Sequence, residues 1–248
     1  MSYIYIFDVD GTLAPSGEPM KDDVARAFYQ FTMQYQTYIA TGNKLQKLCE
    51  LIPRAILNKT KGIFTCSGSQ FHTRGIQVYS KRHRFPPILD VACEAFVDQS
   101  SFVHKSGRHL EHRVGVLNVS MAGSKATKEQ RLAYVQWDKL HHERDQFIHM
   151  INNSKLRYEA FYGGDVSVDI MPSGWDKSSI AIDVMRRHPA MKIAFIGNQM
   201  GLNGNDRPLA VKLKSVSHLH QAIAVKNERQ TLNYVLTHLA KQAQFASY

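Results

Sequence analysis

The sequence predicts an α/β fold: a parallel-sheet core interrupted by an inserted antiparallel α+β cap. Three observations carry this. Short apolar strands alternate with helical periodicity toward both ends of the 248-residue chain, the pattern of βαβ units. The middle of the chain instead reads as paired strands around one long helical stretch. Finally, the apolar strands of the core run into polar, glycine-bearing loops, the edge at which parallel sheets expose their ligand sites.

The first strand is Tyr3–Phe7, ending in Asp8, and the helix after it carries Val24, Phe28, Phe31 and Tyr35 at three- and four-residue spacing. A strand at Thr37–Ala40, the turn Thr41-Gly42-Asn43, a helix with Leu45, Leu48 and Leu51, and a strand at Gly62–Cys66 follow. Beyond about residue 82 the expected strands lie near 101–105, 110–120, 155–161 and 164–171, with a helical stretch over 127–150 and a hairpin signal at Gly163-Gly164. After Trp175 the first pattern resumes. A helix over 176–187 leads to a strand at Lys192–Ile196, the loop Gly197–Asp206, and a C-terminal helix with Leu232, Val235, Leu236 and Leu239 on one face. The expected division is a core domain of 1–81 plus 175–248 and a cap domain of 82–174.

Composition narrows the class. With 44% hydrophobic and 21% charged residues the chain matches ordinary globular usage, against disordered or fibrous classes. No apolar run approaches the length of a membrane span, and the opening MSYIYIFDVDG lacks the basic start of a signal peptide. Three widely spaced cysteines offer no pairing framework, which fits a reducing cytoplasm. The formal net charge of +10 favours anionic partners, either nucleic acid or phosphorylated metabolites. The densest basic run is KRHR at 81–84, and no aromatic-interleaved basic stripe supports nucleic acid.

The strongest local signal is Asp8-Val9-Asp10-Gly11-Thr12 at the end of an apolar strand. Phosphoryl transfer needs an oxygen nucleophile, in-line geometry and relief of negative charge. Residues i and i+2 project to one side, so Asp10 can reach the atom Asp8 attacks. Taken alone, the segment also reads as an acidic, capped turn. Thr41-Gly42-Asn43 combines a hydroxyl with a helix start, a phosphate-donor arrangement or a plain N-cap. Lys177 opens a helix and offers a cation. The loop Gly197–Asp206 is rich in hard oxygen donors suited to magnesium: Asp206 directly or through water, Asn198 or Asn205 through an amide oxygen. Each piece is modest, yet the order is informative: a carboxylate pair, a hydroxyl, a cation and a metal loop, all at one sheet edge.

That order resembles the haloacid dehalogenase (HAD) superfamily, whose fold is a Rossmann-like parallel core with a cap. The resemblance implies Asp8 as a nucleophile forming an aspartyl-phosphate and Asp10 as general acid/base. It implies Thr41 and Lys177 on the phosphate, and Mg²⁺ held by Asp8, Asp10 through its carbonyl, Asp206 and the amide Asn198. The cap segments His112–Ser120 and Gly163–Asp169, continuing through Pro172 to Gly174-Trp175-Asp176-Lys177, are similar to eukaryotic-type phosphomannomutases. By that resemblance Arg113, Asn118, Arg131, Ser167 and Asp169 grip a sugar and its distal phosphate, and a homodimer forms through the cap.

The chain departs from the pattern in three places. Asn198 stands where the family has an aspartate, Ala14–Glu18 lacks the family's arginine, and Ser124 with Lys125 replaces a third cap arginine. A neutral amide holds a cation with less charge, and lysine is a point charge, not a fork. Thinning the distal phosphate site moves the balance from mutase toward hydrolysis. Three readings follow: a phosphomannomutase-like phosphotransferase on hexose phosphates, an HAD phosphatase acting on a sugar phosphate or nucleotide, and a catalytically weakened phosphometabolite-binding protein.

Overall fold

A computed structural model describes residues 3–245, with side chains described as far as 241. Strand β1 (Tyr3–Asp8) is followed by α1 (Asp22–Gln34), β2 (Gln36–Ala40), α2 (Leu45–Leu51), α3 (Arg54–Lys59), and β3 (Gly62–Thr65). Next come the hairpin β4 (Gln70–Thr73) and β5 (Ile76–Ser80), then α4 (Pro87–Gln99), β6 (Leu110–Arg113) and β7 (Val116–Ser120). Helices α5 (Lys128–His141) and α6 (Glu143–Asn152) precede β8 (Tyr158–Tyr162) and β9 (Ser167–Pro172). The chain closes with α7 (Ser178–Arg187), β10 (Lys192–Gly197), α8 (Arg207–Val216), β11 (Gln221–Ala224) and α9 (Glu228–Phe245).

The strands form two sheets. One runs β11-β10-β1-β2-β3-β4-β5, parallel from β11 to β3 with the last two antiparallel; the other runs β6-β7-β9-β8 and is antiparallel throughout. This is the α/β core with an antiparallel α+β insert that the sequence predicts.

Central strand β1 is buried on both faces, as a strand inside a parallel sheet must be. Tyr5 and Phe7 face α1 and its Phe28 and Phe31, while Ile4 and Ile6 face Ile180 and Val184 of α7 and Leu209 of α8. A separate cluster joins α4, α5 and α6 to the second sheet through Leu89, Tyr134, Phe147, Leu117 and Val168.

Several elements differ from the sequence reading. The expected strand 101–105 does not form: Phe102 packs on Tyr134 and Trp137, with ring centroids at 5.0 and 5.7 Å. Lys105 Nζ there donates to the carbonyls of Val97 and Ser100, capping the end of α4 in place of a ladder partner. The stretch 110–120 is two strands, because Gly115 takes φ +69° and turns the chain. The helix over 127–150 is two: α5 starts with a Thr127–Gln130 capping box and ends at left-handed His142, and the Asp138 carboxylate then accepts the Arg144 N–H to start α6. Helices α3, α4 and α8 and strands β4, β5 and β11 have no counterpart in the sequence reading.

Candidate active site

The register of the parallel sheet assembles the site. Asp8 ends β1 and pairs with Ala40, so the residue after β2, Thr41, lies alongside; on the other flank β10 ends at Gly197, one residue before Asn198. Gly11 takes φ +76°, and a Cβ there would come within 2.2 Å of Asn198 Nδ2. Only glycine lets the loop after β10 press so closely on the first turn.

At the centre sits Lys177, 1% exposed, whose Nζ lies 2.7 Å from an oxygen of Asp8 and 2.7 Å from one of Asp206, and 3.4 Å from Asn205 Oδ1. A buried ammonium is tolerable only with such partners. The Asp8 carboxyl is pushed up to about 7: burial dominates and Asp206 adds to it, against the pull of Lys177. The Lys177 ammonium is driven upward, its burial outweighed by Asp206 and Asp8.

The other oxygen of Asp206 accepts the Gln199 N–H at 3.0 Å, fixing the loop. Asp10 accepts the Gly17 N–H at 2.9 Å and Asn43 Nδ2 at 2.7 Å, and burial raises its pKa. Thr41 is fully buried, its hydroxyl accepting the Asn43 N–H at 3.1 Å. Thr12 donates to Asn198 Oδ1 at 3.4 Å.

Among the described residues no group of three or more His, Cys, Asp or Glu side chains forms a metal-ligand cluster. The donors available at this spot are two carboxylates, Asp8 and Asp206, the Asn198 amide, and the main chain at Asp10. All are hard oxygens, the set a magnesium ion takes, at a lower charge than an all-carboxylate set.

A cavity of 1070 Å³ opens from Asp8 and Asp10 and reaches the second sheet. Asn118, Ser167 and Asp169 line it: Asn118 Nδ2 donates to Asp169 at 2.6 Å, and the Ser167 hydroxyl donates to the Gly163 carbonyl.

The profile of the eukaryotic phosphomannomutase family matches residues 25–238. The chain belongs to that family. It is 27% identical to a phosphomannomutase of Galdieria sulphuraria, over 86% of this chain and 87% of the relative. It is 26% identical to human phosphomannomutase 1, over 86% and 85%. By fold it is similar to the C-terminal domain of Candida albicans trehalose-6-phosphate phosphatase, at a TM-score of 0.66 and 12% identity over 94% of this chain and 90% of that one. Plasmodium falciparum IMP-nucleotidase is similar at 0.64 and 14%, over 95% of this chain and 68% of that one. The chain is thus an HAD-type enzyme, a phosphotransferase or a phosphatase.

Seen as a phosphomannomutase-family cap, the basic residues divide in an unexpected way. Arg113 reaches the cavity, but its guanidinium is held by Glu111 at 2.7 Å, donates to the Gly42 carbonyl at 3.2 Å, and lies 3.9 Å from Asp169. Arg131 lines the cavity with no acidic partner among the described residues.

Sequence reasoning misses Arg108, which also lines the cavity without such a partner. Its backbone is tied to Ser124 by two bonds of 2.8 and 2.9 Å, so it stands beside the position where the family's third arginine is absent. Only these contacts between loop residues sixteen apart in sequence place it there. Asn43 is likewise missed as a partner of Asp10, although it belongs to the tripeptide singled out. In the loop after Gly11, Glu18 pairs with Lys128 of α5 at 2.7 Å.

Proposed function

We propose that this chain transfers phosphoryl groups through an aspartyl-phosphate on Asp8, with Mg²⁺, on hexose phosphates or related small phosphorylated metabolites. The observation that carries this is the sharing of Lys177 Nζ by Asp8 and Asp206, 2.7 Å each, with Asp8 lining a cavity large enough for a sugar phosphate.

In this reading the free oxygen of Asp8 attacks phosphorus and the substrate oxygen leaves. Asp10, held by Gly17 and Asn43 and shifted toward its protonated form, supplies the leaving oxygen's proton and later takes one from the acceptor. Lys177 and the Thr41 hydroxyl steady the phosphoryl oxygens. Bound Mg²⁺, held by Asp8, the Asp10 carbonyl, Asn198 and Asp206, would neutralise developing phosphate charge. At the far end Arg108 and Arg131 face the substrate's distal anion, with Asn118, Ser167 and Asp169 on its hydroxyls.

The division into a core domain of 1–81 plus 175–248 and a cap of 82–174 belongs to the same proposal, as does a homodimer through the cap. Three free cysteines support a reducing, cytoplasmic setting, and among the described residues no helix is long and apolar enough to cross a membrane.

A second reading, hydrolysis, is favoured by one observation: Glu18 engages Lys128, so the loop over Asp10 adds no cation to hold a reaction intermediate in place. One assay separates the two. Mannose or glucose 1-phosphate is incubated with Mg²⁺, and hexose 6-phosphate and inorganic phosphate are both followed. Isomerisation without release is the expected result, and release alone assigns a phosphatase. Asp8→Asn is expected to abolish either reaction with the fold intact; substantial turnover in that variant would remove Asp8 as nucleophile.

A further inference from the structure

Beside the active-site cavity lies a second one of 460 Å³. It is lined by Lys44 at the head of α2, Arg82 and His83 in the segment joining β5 to α4, and His112 and Arg113 of β6, and by no carboxylate. The basic run at 81–84, densest in the sequence, has no place in the catalytic reading, yet two of its four residues face this cavity.

One cation there is left uncompensated. Lys44 and Arg113 share one carboxylate, Glu111, at 2.8 and 2.7 Å. Asp169, 3.9 Å from Arg113, and Glu111 line the neighbouring cavity, as do Lys44, His112 and Arg113 themselves. Arg82 has no acidic partner among the described residues. His112 contacts Asp90 at 3.1 Å, and His83 uses Nε2 against the Tyr158 hydroxyl at 2.8 Å. Arg82 is thus a cation free to meet a ligand, and a concave basic surface with His83 and His112 beside it attracts a compact multivalent anion.

We propose that this cavity is a second anion site, separate from the phosphoryl-transfer centre, that takes a phosphate- or pyrophosphate-class anion. Arg82 is its main ligand, and Lys44 and the two imidazoles complete it. Because its walls come from both sheets and from the segment that joins them, an occupant ties the two sheets together.

The test uses the intact protein and pyrophosphate. The chain has two tryptophans. Trp175 packs edge-on to His83 at 5.8 Å, while Trp137 stacks on His141 in α5, so Trp175 fluorescence reports this cavity. In the Trp137→Phe background, pyrophosphate is expected to give a saturable fluorescence change. Adding Arg82→Ala should weaken its midpoint roughly tenfold or more, the worth of one charge-assisted contact, and Arg82→Lys should fall between. Arg82 is exposed, so these variants are expected to fold; His83→Gln provides an independent second perturbation with the same expected direction. No saturable change, or a midpoint unmoved by both Arg82→Ala and His83→Gln, overturns the proposal.

Discussion

Replacing Lys177 by methionine in metal-free buffer tests the electrostatic logic of the site directly. The side chain is as buried as any in the core and contacts two buried carboxylates at 2.7 Å each. Removing one member of a buried ion cluster strands charge in low dielectric and costs about 3–5 kcal/mol. For a chain of this length that corresponds to a melting temperature roughly 6–20 °C lower. The penalty depends on pH. The Asp8 carboxyl is already raised to about 7, by burial first and Asp206 second, and losing Lys177 removes the main influence holding it down. A carboxyl whose folded pKa lies above its unfolded value binds its proton more tightly when folded. Its burden on stability is therefore absent below the unfolded value of about 4 and grows as pH rises toward the folded one. Lys177→Met should thus lose most at pH 8 and recover much of the deficit at pH 5. Melting followed by circular dichroism at both values, with EDTA, reads this. A variant within 2 °C of the parent at pH 8, or equally destabilised at both values, would show that the lysine does not neutralise this pair.

Three further outcomes follow from the same geometry. Asn198→Asp adds a charge to the oxygen donors beside Gly11, so the Mg²⁺ concentration for half-maximal activity should fall several-fold; an unchanged requirement would exclude position 198 from the metal. Arg108→Ala should raise KM for a hexose phosphate roughly tenfold or more with kcat little altered, and Arg108→Ala with Ser124→Arg should recover it, whereas failure of that rescue would make Arg108 a bystander. His220 accepts the Ile193 N–H through Nδ1 at 3.1 Å, and burial lowers its pKa. A depressed imidazole contributes stability above about pH 6.5 that is lost as pH falls below it. His220→Asn keeps an acceptor without the titration, so its melting temperature should decline less between pH 7 and 5 than the parent's, and parallel declines would contradict this.

The parallel core was legible because each strand carries its own signal: Tyr3–Phe7 and Lys192–Ile196 are continuous apolar runs that need no partner to be recognised. What escaped were elements defined by partners. Strand β4, a four-residue run with Gln70 and His72 flanking Phe71, is too short to announce itself and pairs along β3. Residues 101–105 look extended in sequence but join no ladder, and Phe102 instead packs edge-on against Tyr134. The left-handed break at His142 has no glycine to announce it; the Asp138–Arg144 pairing stabilises it from outside the break. For the site, the sequence names the side chains and their order along the chain. The sheet register supplies what order cannot, the adjacency of Asp8 to Thr41 and Asn198.

Arg113 shows why adjacency alone is insufficient to assign a role. Its guanidinium reaches the cavity, as a motif-based assignment requires, but Glu111, two residues earlier on the same strand, and the Gly42 carbonyl occupy its donors. Burial opposes its charge, and Asp169 and Glu111 more than restore it, so it is firmly cationic yet largely neutralised. Its contact with the Gly42 carbonyl joins the second sheet to the turn after β2, as the Glu18–Lys128 pair joins the loop after β1 to α5. These two arms, which a phosphate-gripping cap would direct at substrate, here connect the two halves of the cavity to each other. A substrate that pays to break them binds more weakly, while one held only by Arg108 and Arg131 leaves the arms in place. Under the proposed function, the acids at positions 18 and 111, and not only the missing arginines, therefore bear on how tightly the cavity holds a substrate.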